Sequence, residues 1–267
     1  MSVWRIARDR TYLPWAKSVG PDSCQITLFG MQKTNDWFYR RSGAFADALS
    51  ATERLLDNGM KPRWQIFLTT KLLPELDDLL AVVDKLNLRK RVRELGSEFQ
   101  IFINLPGPEG EAEKLQHLRP TIDQVSGLPE SLLASSRKHL GQDVLWRTEA
   151  ELVSEIINTP FLKEELPEKL WFFVRSNWDV YANIGTLDPW WRLGNLKQDS
   201  VESIIHQYEC DQVPGMKAQF HLPPAILAEK HGDPGGQRIY SCRDSLLALY
   251  RGNYCKREWS RQNGQQL

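Results

Sequence analysis

Cysteine is scarce in this sequence, with four among 267 residues, at positions 24, 210, 242 and 255. No two of them stand close together. Zinc sites and iron–sulfur clusters are usually built on at least one close pair, because two ligands from one turn pre-organise the site. The histidines, His117, His139, His206, His221 and His231, supply no short-range pair either. A self-contained metal site is therefore not expected, and scattered thiols fit a reducing cytoplasm rather than a disulfide framework. An excess of one charge is also lacking, since 34 Lys and Arg balance 34 Asp and Glu. That leaves no global field to attract nucleic acid or an anionic membrane, and neither is an expected partner. No apolar run approaches the roughly 20 residues of a membrane span. The opening MSVWRIARDR carries basic residues with no apolar stretch behind them, so it does not read as a secretory signal. The patterns G-x-x-x-x-G-K-[ST], G-x-S-x-G, H-E-x-x-H and G-x-G-x-x-G are all missing.

What is present is ordinary globular material, 41% hydrophobic and 25% charged, with ten tryptophans as its one oddity. Trp37, Trp171, Trp178, Trp190 and Trp191 fall near expected loops or a hairpin, where large aromatics fill a core or cover strands.

Residues 24–125 read as repeated strand–helix units. CQITLFG (24–30) is a short strand ending in glycine, followed by a polar aromatic loop, MQKTNDWFYRRSG, and a helix from Ala44 to Asn58. Phe45, Ala48, Leu49, Thr52, Leu55 and Leu56 share one face of that helix, and Gly59 is placed to cap it. RWQIFLTT (63–70) is the next strand, and its helix begins near Pro74 with Leu76, Leu79, Leu80, Val83 and Leu86 at helical spacing. EFQIFINL (98–105) is a third strand. Such alternation implies a parallel sheet.

Side chains alternate across a strand. Gln25, Thr27 and Phe29 share one face, as do Gln65, Phe67 and Thr69, and Gln100, Phe102 and Asn104. The opposite faces are apolar and suit covering helices. The glutamine-bearing faces suit the inside of a partial barrel that holds something polar. Ligands in such architectures sit at the carboxyl ends of the strands, here Gly30, Thr69–Thr70 and Asn104–Gly107.

Helical connectors follow from about residue 126 to 170, with Thr148 and Glu151 forming a capping box for TEAELVSEII. From residue 171 to 267 the pattern is mixed: a β-hairpin turning at Ser176–Asn177, a helix near Asp199, and a last helix over roughly Arg243–Tyr250. The expected fold is thus α/β: a partial parallel (β/α) barrel over 1–125, a connector, and a smaller α+β region. HGDPGGQ (231–237) reads as a surface loop, GPEGEAE (107–113) as a solvated turn and helix start, and LRKRVRELG (88–96) as a solvated helix face or loop.

The run from Gln25 to Leu80, QITLFG-MQKTNDWFYRRSGAF through LLPELDDLL, resembles the middle of a radical SAM domain. There a Ser/Thr-containing strand ending in glycine precedes an R-x-G-x-F loop, a helix ending L-x-x-x-G, and another strand–helix unit. The opening WRIARDRTYLPWAKSVG is similar to the stretch just before, and DVYANIG…LGNLKQDSVESII resembles the SPASM or twitch modules that follow many such barrels. The resemblance implies S-adenosylmethionine (SAM) and a [4Fe–4S] cluster as cofactors, with reductive SAM cleavage starting radical chemistry on an unknown substrate. It assigns Thr27 and Gly30 to SAM, and Arg41, Gly43 and Phe45 to a mainly structural loop. Gln25, Gln65, Thr69, Gln100 and Asn104 are the ligand-lining candidates.

The departures matter as much. The C-x-x-x-C-x-x-C segment and the glycine-rich SAM stretch have no counterpart in this sequence, the Asn after the second strand is replaced around Lys71–Leu72, and Ala182–Asn183 stand where a cysteine is expected. Cys242, Cys255 and Cys210 read as buried or incidental thiols before they read as remnants of auxiliary-cluster ligation. The expected protein is therefore the C-terminal half of a radical SAM enzyme, not active alone: either the product of a truncated gene or a split subunit whose barrel a partner chain completes. The alternative is a non-enzymatic ligand- or partner-binding protein derived from that fold. Either way the strand edge beside Cys24–Phe29 is expected to pair with another chain or with a second copy.

Overall fold

The computed structural model describes residues 1–107, 110–160, 171–182, 187–210 and 213–263. Two compact units divide the chain: Met1–Pro106 with Leu118–Leu145, and Gly107–His117 with Trp146–Leu267. The stretch read as one connector is shared between them, its first helix joining unit 1 and its second unit 2. Asn183 and residues 161–170 of that reading lie outside the described residues.

Unit 1 starts with helices α1 (Val3–Arg8) and α2 (Tyr12–Ser18), then strand β1 (Cys24–Leu28), α3 (Gln32–Phe38), α4 (Ala44–Asp57), β2 (Pro62–Phe67), α5 (Leu76–Lys85), α6 (Leu88–Glu94), β3 (Ile101–Asn104), α7 (Ile122–Val125) and α8 (Glu130–Leu140). The three strands form one parallel sheet in the order β1-β2-β3, which does not close into a barrel among the described residues. Alternation works as expected on its apolar side. Ile26, Leu28, Trp64, Ile66 and Ile103 are buried, each burial worth about 1.5–3 kcal/mol relative to exposure. The Trp64 indole N–H is satisfied inside that core by the Thr52 hydroxyl at 3.0 Å.

The expected loop 31–43 is instead largely helix α3. Its inward residues are Thr34 and Asn35, both buried, so the segment has no apolar periodicity to announce it. Polar anchors hold it: Asn35 Oδ1 accepts the Phe29 N–H at 3.0 Å, and Thr34 Oγ1 donates to Glu75 at 2.8 Å. The R-x-G-x-F residues then build the start of α4. Asp36 accepts the Gly43 and Phe45 N–H groups, at 2.8 and 2.9 Å, filling the capping role left open by glycine. Gly43 itself needs a left-handed φ of +78°. Asp47, buried in the first turn, takes Arg8 at 2.8 Å and Arg41 at 2.5 Å.

The two free edges of the sheet differ. On β3, the Ser136 hydroxyl accepts the Ile103 N–H at 2.9 Å, and the Ser135 hydroxyl donates to the Ile101 carbonyl at 2.7 Å. Helix α8 thus stands where a fourth strand would pair. On β1, the register and the Cys24 N–H to Lys61 carbonyl bond direct residues 24, 26 and 28 toward β2, and 25, 27 and 29 outward. Tyr39 Oη donates to the Thr27 carbonyl at 3.0 Å and Asn35 takes the Phe29 N–H, whereas no described residue bonds the Gln25 N–H or carbonyl.

Unit 2 contains β4 (Arg147–Thr148), α9 (Glu149–Asn158), β5 (Phe173–Val174), β6 (Asp179–Tyr181), β7 (Arg192–Asn195), α10 (Val201–Glu209), α11 (Pro214–Phe220), α12 (Pro224–His231), β8 (Ile239–Tyr240) and α13 (Arg243–Asn263). The expected hairpin is β5–β6, and β7 adds a third antiparallel strand. The Thr148–Glu151 capping box is formed, and the last helix runs on past the expected Tyr250 to Asn263. Helices α9, α12 and α13 share a core of Leu152, Ile156, Leu227, Leu246 and Tyr250.

Two stability predictions follow. Ser136→Ala leaves the buried Ile103 N–H unpaired and should cost about 1–3 kcal/mol by urea unfolding, whereas Ser135→Ala should cost less, because an under-satisfied carbonyl is the milder defect. An unchanged Ser136→Ala midpoint would remove the edge-capping role. At Asp47, burial raises the carboxyl pKa, but hydrogen bonds and charge from Arg8 and Arg41 outweigh it and the net shift is down. A depressed folded value means this stabilisation is present above the ordinary pKa of 3.8 and is lost as the pH falls through the folded value. Asp47→Asn should therefore be less stable than wild type at pH 7, with the gap shrinking below about pH 3.8; a constant gap would contradict this.

Candidate functional site

The polar face of the sheet is assembled as the strand parity predicts, but only part of it gathers. Gln65 Oε1 accepts from Gln25 Nε2 at 2.5 Å and from Thr27 Oγ1 at 3.2 Å. The three side chains form one hydrogen-bonded cluster running toward the open edge of β1. Gln65 is buried and Gln25 exposed, and the Gln65 amide Nε2 and Gln25 Oε1 make no side-chain hydrogen bond among the described residues. The cluster can thus still donate and accept.

Toward the carboxyl ends the face turns aromatic. Phe29 stacks on Phe38 and Phe67, with ring centroids 4.5 and 5.2 Å away, and meets the Tyr39 edge at 5.5 Å. These rings occupy the place where the alternation suggested a polar trough. On β3 the same face carries Phe102, covered by His139 of α8 with centroids 3.7 Å apart. Burial, and then the charge of Arg63, hold the His139 pKa below its ordinary value.

Gly30 is occupied from within. A Cβ there would lie 2.4 Å from Glu75 Oε2 and 2.9 Å from Thr34, and its φ is +151°. Glu75 Oε2 accepts the Met31 N–H at 2.7 Å, so the glycine makes room for a carboxylate of the same chain. Thr69 and Asn104 fold onto their own backbones: Thr69 Oγ1 accepts the Leu72 N–H at 3.2 Å and Asn104 Oδ1 the Leu105 N–H at 2.9 Å. Gln100 stands at the opposite end of the sheet. It lines a pocket of about 280 Å³ with Asp22, Ser23, Lys61, Arg63 and Glu98, beside the amino ends of the strands. Of the candidates, Gln25, Thr27 and Gln65 are brought together; Gly30, Thr69, Asn104 and Gln100 are not brought into that cluster.

Sequence reading missed Glu75, Tyr39 and Asn35, which are polar groups of the loop-like stretch and a helix start. It also missed Arg63, whose Nε is buried without a partner among the described residues. Arg63 shares its parity with Gln65, so the strand alternation carried that signal.

The donor set does not fit a [4Fe–4S] cluster. Cys24 is buried in unit 1, its thiol 3.6 Å from Met1 Sδ, while Cys210, Cys242 and Cys255 belong to unit 2. Cys255 is buried and donates to the Pro214 carbonyl at 3.5 Å, and burial pushes its thiol pKa up to about 12. Cys242 is exposed and carries Ser245 and Ser241 beside it. Among the described residues no three His, Cys, Asp or Glu side chains gather as a metal site.

The motifs of unit 2 are likewise used internally. In LGNL, Asn195 Nδ2 donates to the Asn177 carbonyl and to Asp179, each at 3.0 Å, and the Asn195 N–H reaches Asp199 at 2.7 Å. Gly194 leaves space for Asp199, whose Oδ2 would lie 2.8 Å from a Cβ. In HGDPGGQ the Asp233 N–H donates to Glu149 and the Gly235 N–H to Asp233, so these amides are not free to cradle a phosphate. No described helix is long and apolar enough to cross a membrane.

No family model and no curated protein matches this sequence. Among solved structures, a similar one is a histidine-tagged anSMEcpe with bound AdoMet, at a TM-score of 0.38 and 11% identity, over 90% of this chain and 65% of that chain. This chain thus spans just under two thirds of that protein's length. The fold itself is mixed α/β, with a small three-stranded parallel sheet.

Gly30→Ala should destabilise by about 1–3 kcal/mol through strain and displacement of Glu75. Adding Glu75→Ala should make the combined loss smaller than the sum of the two single losses, because both act on one packing site. Strict additivity in a denaturation cycle would show that Glu75 is not what Gly30 accommodates.

Proposed function

We propose that this protein is a radical SAM-type module that binds a polar ligand and is completed by another segment or chain pairing along β1. The observation that carries this reading is the Gln25–Thr27–Gln65 cluster, which keeps a donor and an acceptor available and lies beside the open edge of its own sheet. A strand added at that edge would satisfy the Gln25 backbone and enclose the cluster on its exposed side. The sequence resemblance supplies the ligand expectation: SAM, with Thr27 as the residue nearest the position the family uses. Radical chemistry would need cluster ligands from elsewhere, and no step of it is derived from these residues.

A second reading has its own support. Glu75 fills the space beside Gly30, and Phe29, Phe38 and Phe67 fill the carboxyl end of the face. That internal occupation favours a non-enzymatic binding protein derived from the same scaffold.

Calorimetry with SAM separates the two readings. The first expects saturable binding that weakens at least fivefold in Gln65→Leu while the fold is retained. Absence of SAM binding, or binding indifferent to Gln65→Leu, would overturn it and leave the second. Anaerobic treatment with iron and sulfide should give no stable cluster in this chain alone. Gel filtration should reveal self-association that Gln25→Pro reduces, because proline removes an edge N–H; a wild-type chain that stays monomeric at high concentration would count against pairing between copies.

A further inference from the structure

The basic run at residues 88–96 does not distribute its charges evenly to solvent. In α6, Arg91 pairs with Asp57 at 2.7 Å and Lys90 with Glu94 at 4.0 Å. Arg89 and Arg93, four residues apart and therefore neighbours on one helix face, form no ion pair or side-chain hydrogen bond with a described residue. Both line a pocket of about 360 Å³ shared with Glu98, Phe99, Ser135 and Lys138.

The charges in this pocket do not cancel. Lys138 Nζ lies 3.0 Å from Glu98 Oε2. A hydrogen bond and charge from Lys138, with a smaller contribution from Arg93, hold Glu98 below the usual carboxylate range. The one carboxylate is therefore matched by the one lysine, and the two guanidinium groups remain in excess. Ser135 is already committed to the Ile101 carbonyl, and Phe99 packs its edge against Trp64 with centroids 5.8 Å apart. The wall of the pocket is thus fixed by the same α8–β3 junction that caps the sheet, and Arg89 and Arg93, both exposed, line it from α6.

We propose that this pocket binds the phosphoryl group of a small molecule. A phosphate monoester carries close to two negative charges and three acceptor oxygens, which matches two unpaired guanidinium groups better than a single carboxylate would. The volume falls in the range of small-ligand pockets, leaving room for a compact organic group beside the phosphate. The site shares no residue with the Gln25–Thr27–Gln65 cluster and stands independently of the function proposed above.

The test is titration of the full chain with inorganic phosphate and with phenyl phosphate at low ionic strength, followed by calorimetry or amide chemical shifts. Arg89→Gln with Arg93→Gln should weaken both ligands tenfold or more. Lys90→Gln with Arg91→Gln removes the same charge from the same helix and should change binding by less than twofold. Circular dichroism checks that both double variants keep the fold. Equal weakening in the two pairs, which would indicate general charge attraction, or no saturable binding to the wild-type chain, would overturn the proposal.

Discussion

Every strand in a sheet has two rows of hydrogen-bonding groups, and a three-stranded parallel sheet leaves one row bare at each side. How those rows are satisfied governs unit 1. At β3 the serines of α8 supply one acceptor and one donor at the spacing a further strand would have used. Pairing ends there, and α8 is fixed against the sheet, carrying His139 over Phe102 and Lys138 beside Glu98. At β1 the tyrosine and asparagine side chains serve the carboxyl half only, so the sheet is closed on one side and open for part of the other.

The same demand explains why residues that look like ligand-binding residues are mostly occupied. A buried polar group without a partner costs more than a made hydrogen bond returns. Glu75 meets that demand for the Met31 amide, Asp36 for the first turn of α4, Asn195 for the Asn177 carbonyl in the β5–β6 turn, and Asp199 for the Asn195 amide. These are also the places where the sequence resembles a radical SAM scaffold. The resemblance therefore marks positions at which a backbone needs a glycine or a side-chain acceptor. Such needs persist whether or not a cofactor is held. The cysteines separate the two matters, because no internal structural role can replace a cluster ligand.

Much of the architecture was legible because it depends on local periodicity. Alternation in CQITL, PRWQIF and IFIN gave the faces of the sheet, and helical spacing gave α4 and α5. Thr148 with Glu151 marked the start of α9 at a distance of three residues. Helix α3 was not legible, since Thr34 and Asn35 turn inward and an apolar stripe is absent. Gly30 was legible as a special position but not for its reason, because Glu75 reaches it from beyond β2, far along the chain.

The sequence by itself determined which residues of each strand share a face, where helices α4, α5, α9, α10 and α13 begin to within a few residues, and that its cysteines are too scattered to form a close ligand pair. Those properties follow from fixed repeats of 2 and 3.6 residues and from the chain distance between ligands. Only the tertiary structure decided that Gln25, Thr27 and Gln65 bond to one another while Gln100, level with Gln25 across the sheet, lines a separate pocket at the amino ends of the strands. It also decided that aromatic rings close the carboxyl end of the face, and that two arginines of a charged helix converge with Lys138 on one pocket. The physical reason is the same throughout: a hydrogen bond or a charge pair forms between groups that folding brings within about 3–4 Å, and separation along the chain does not encode that distance.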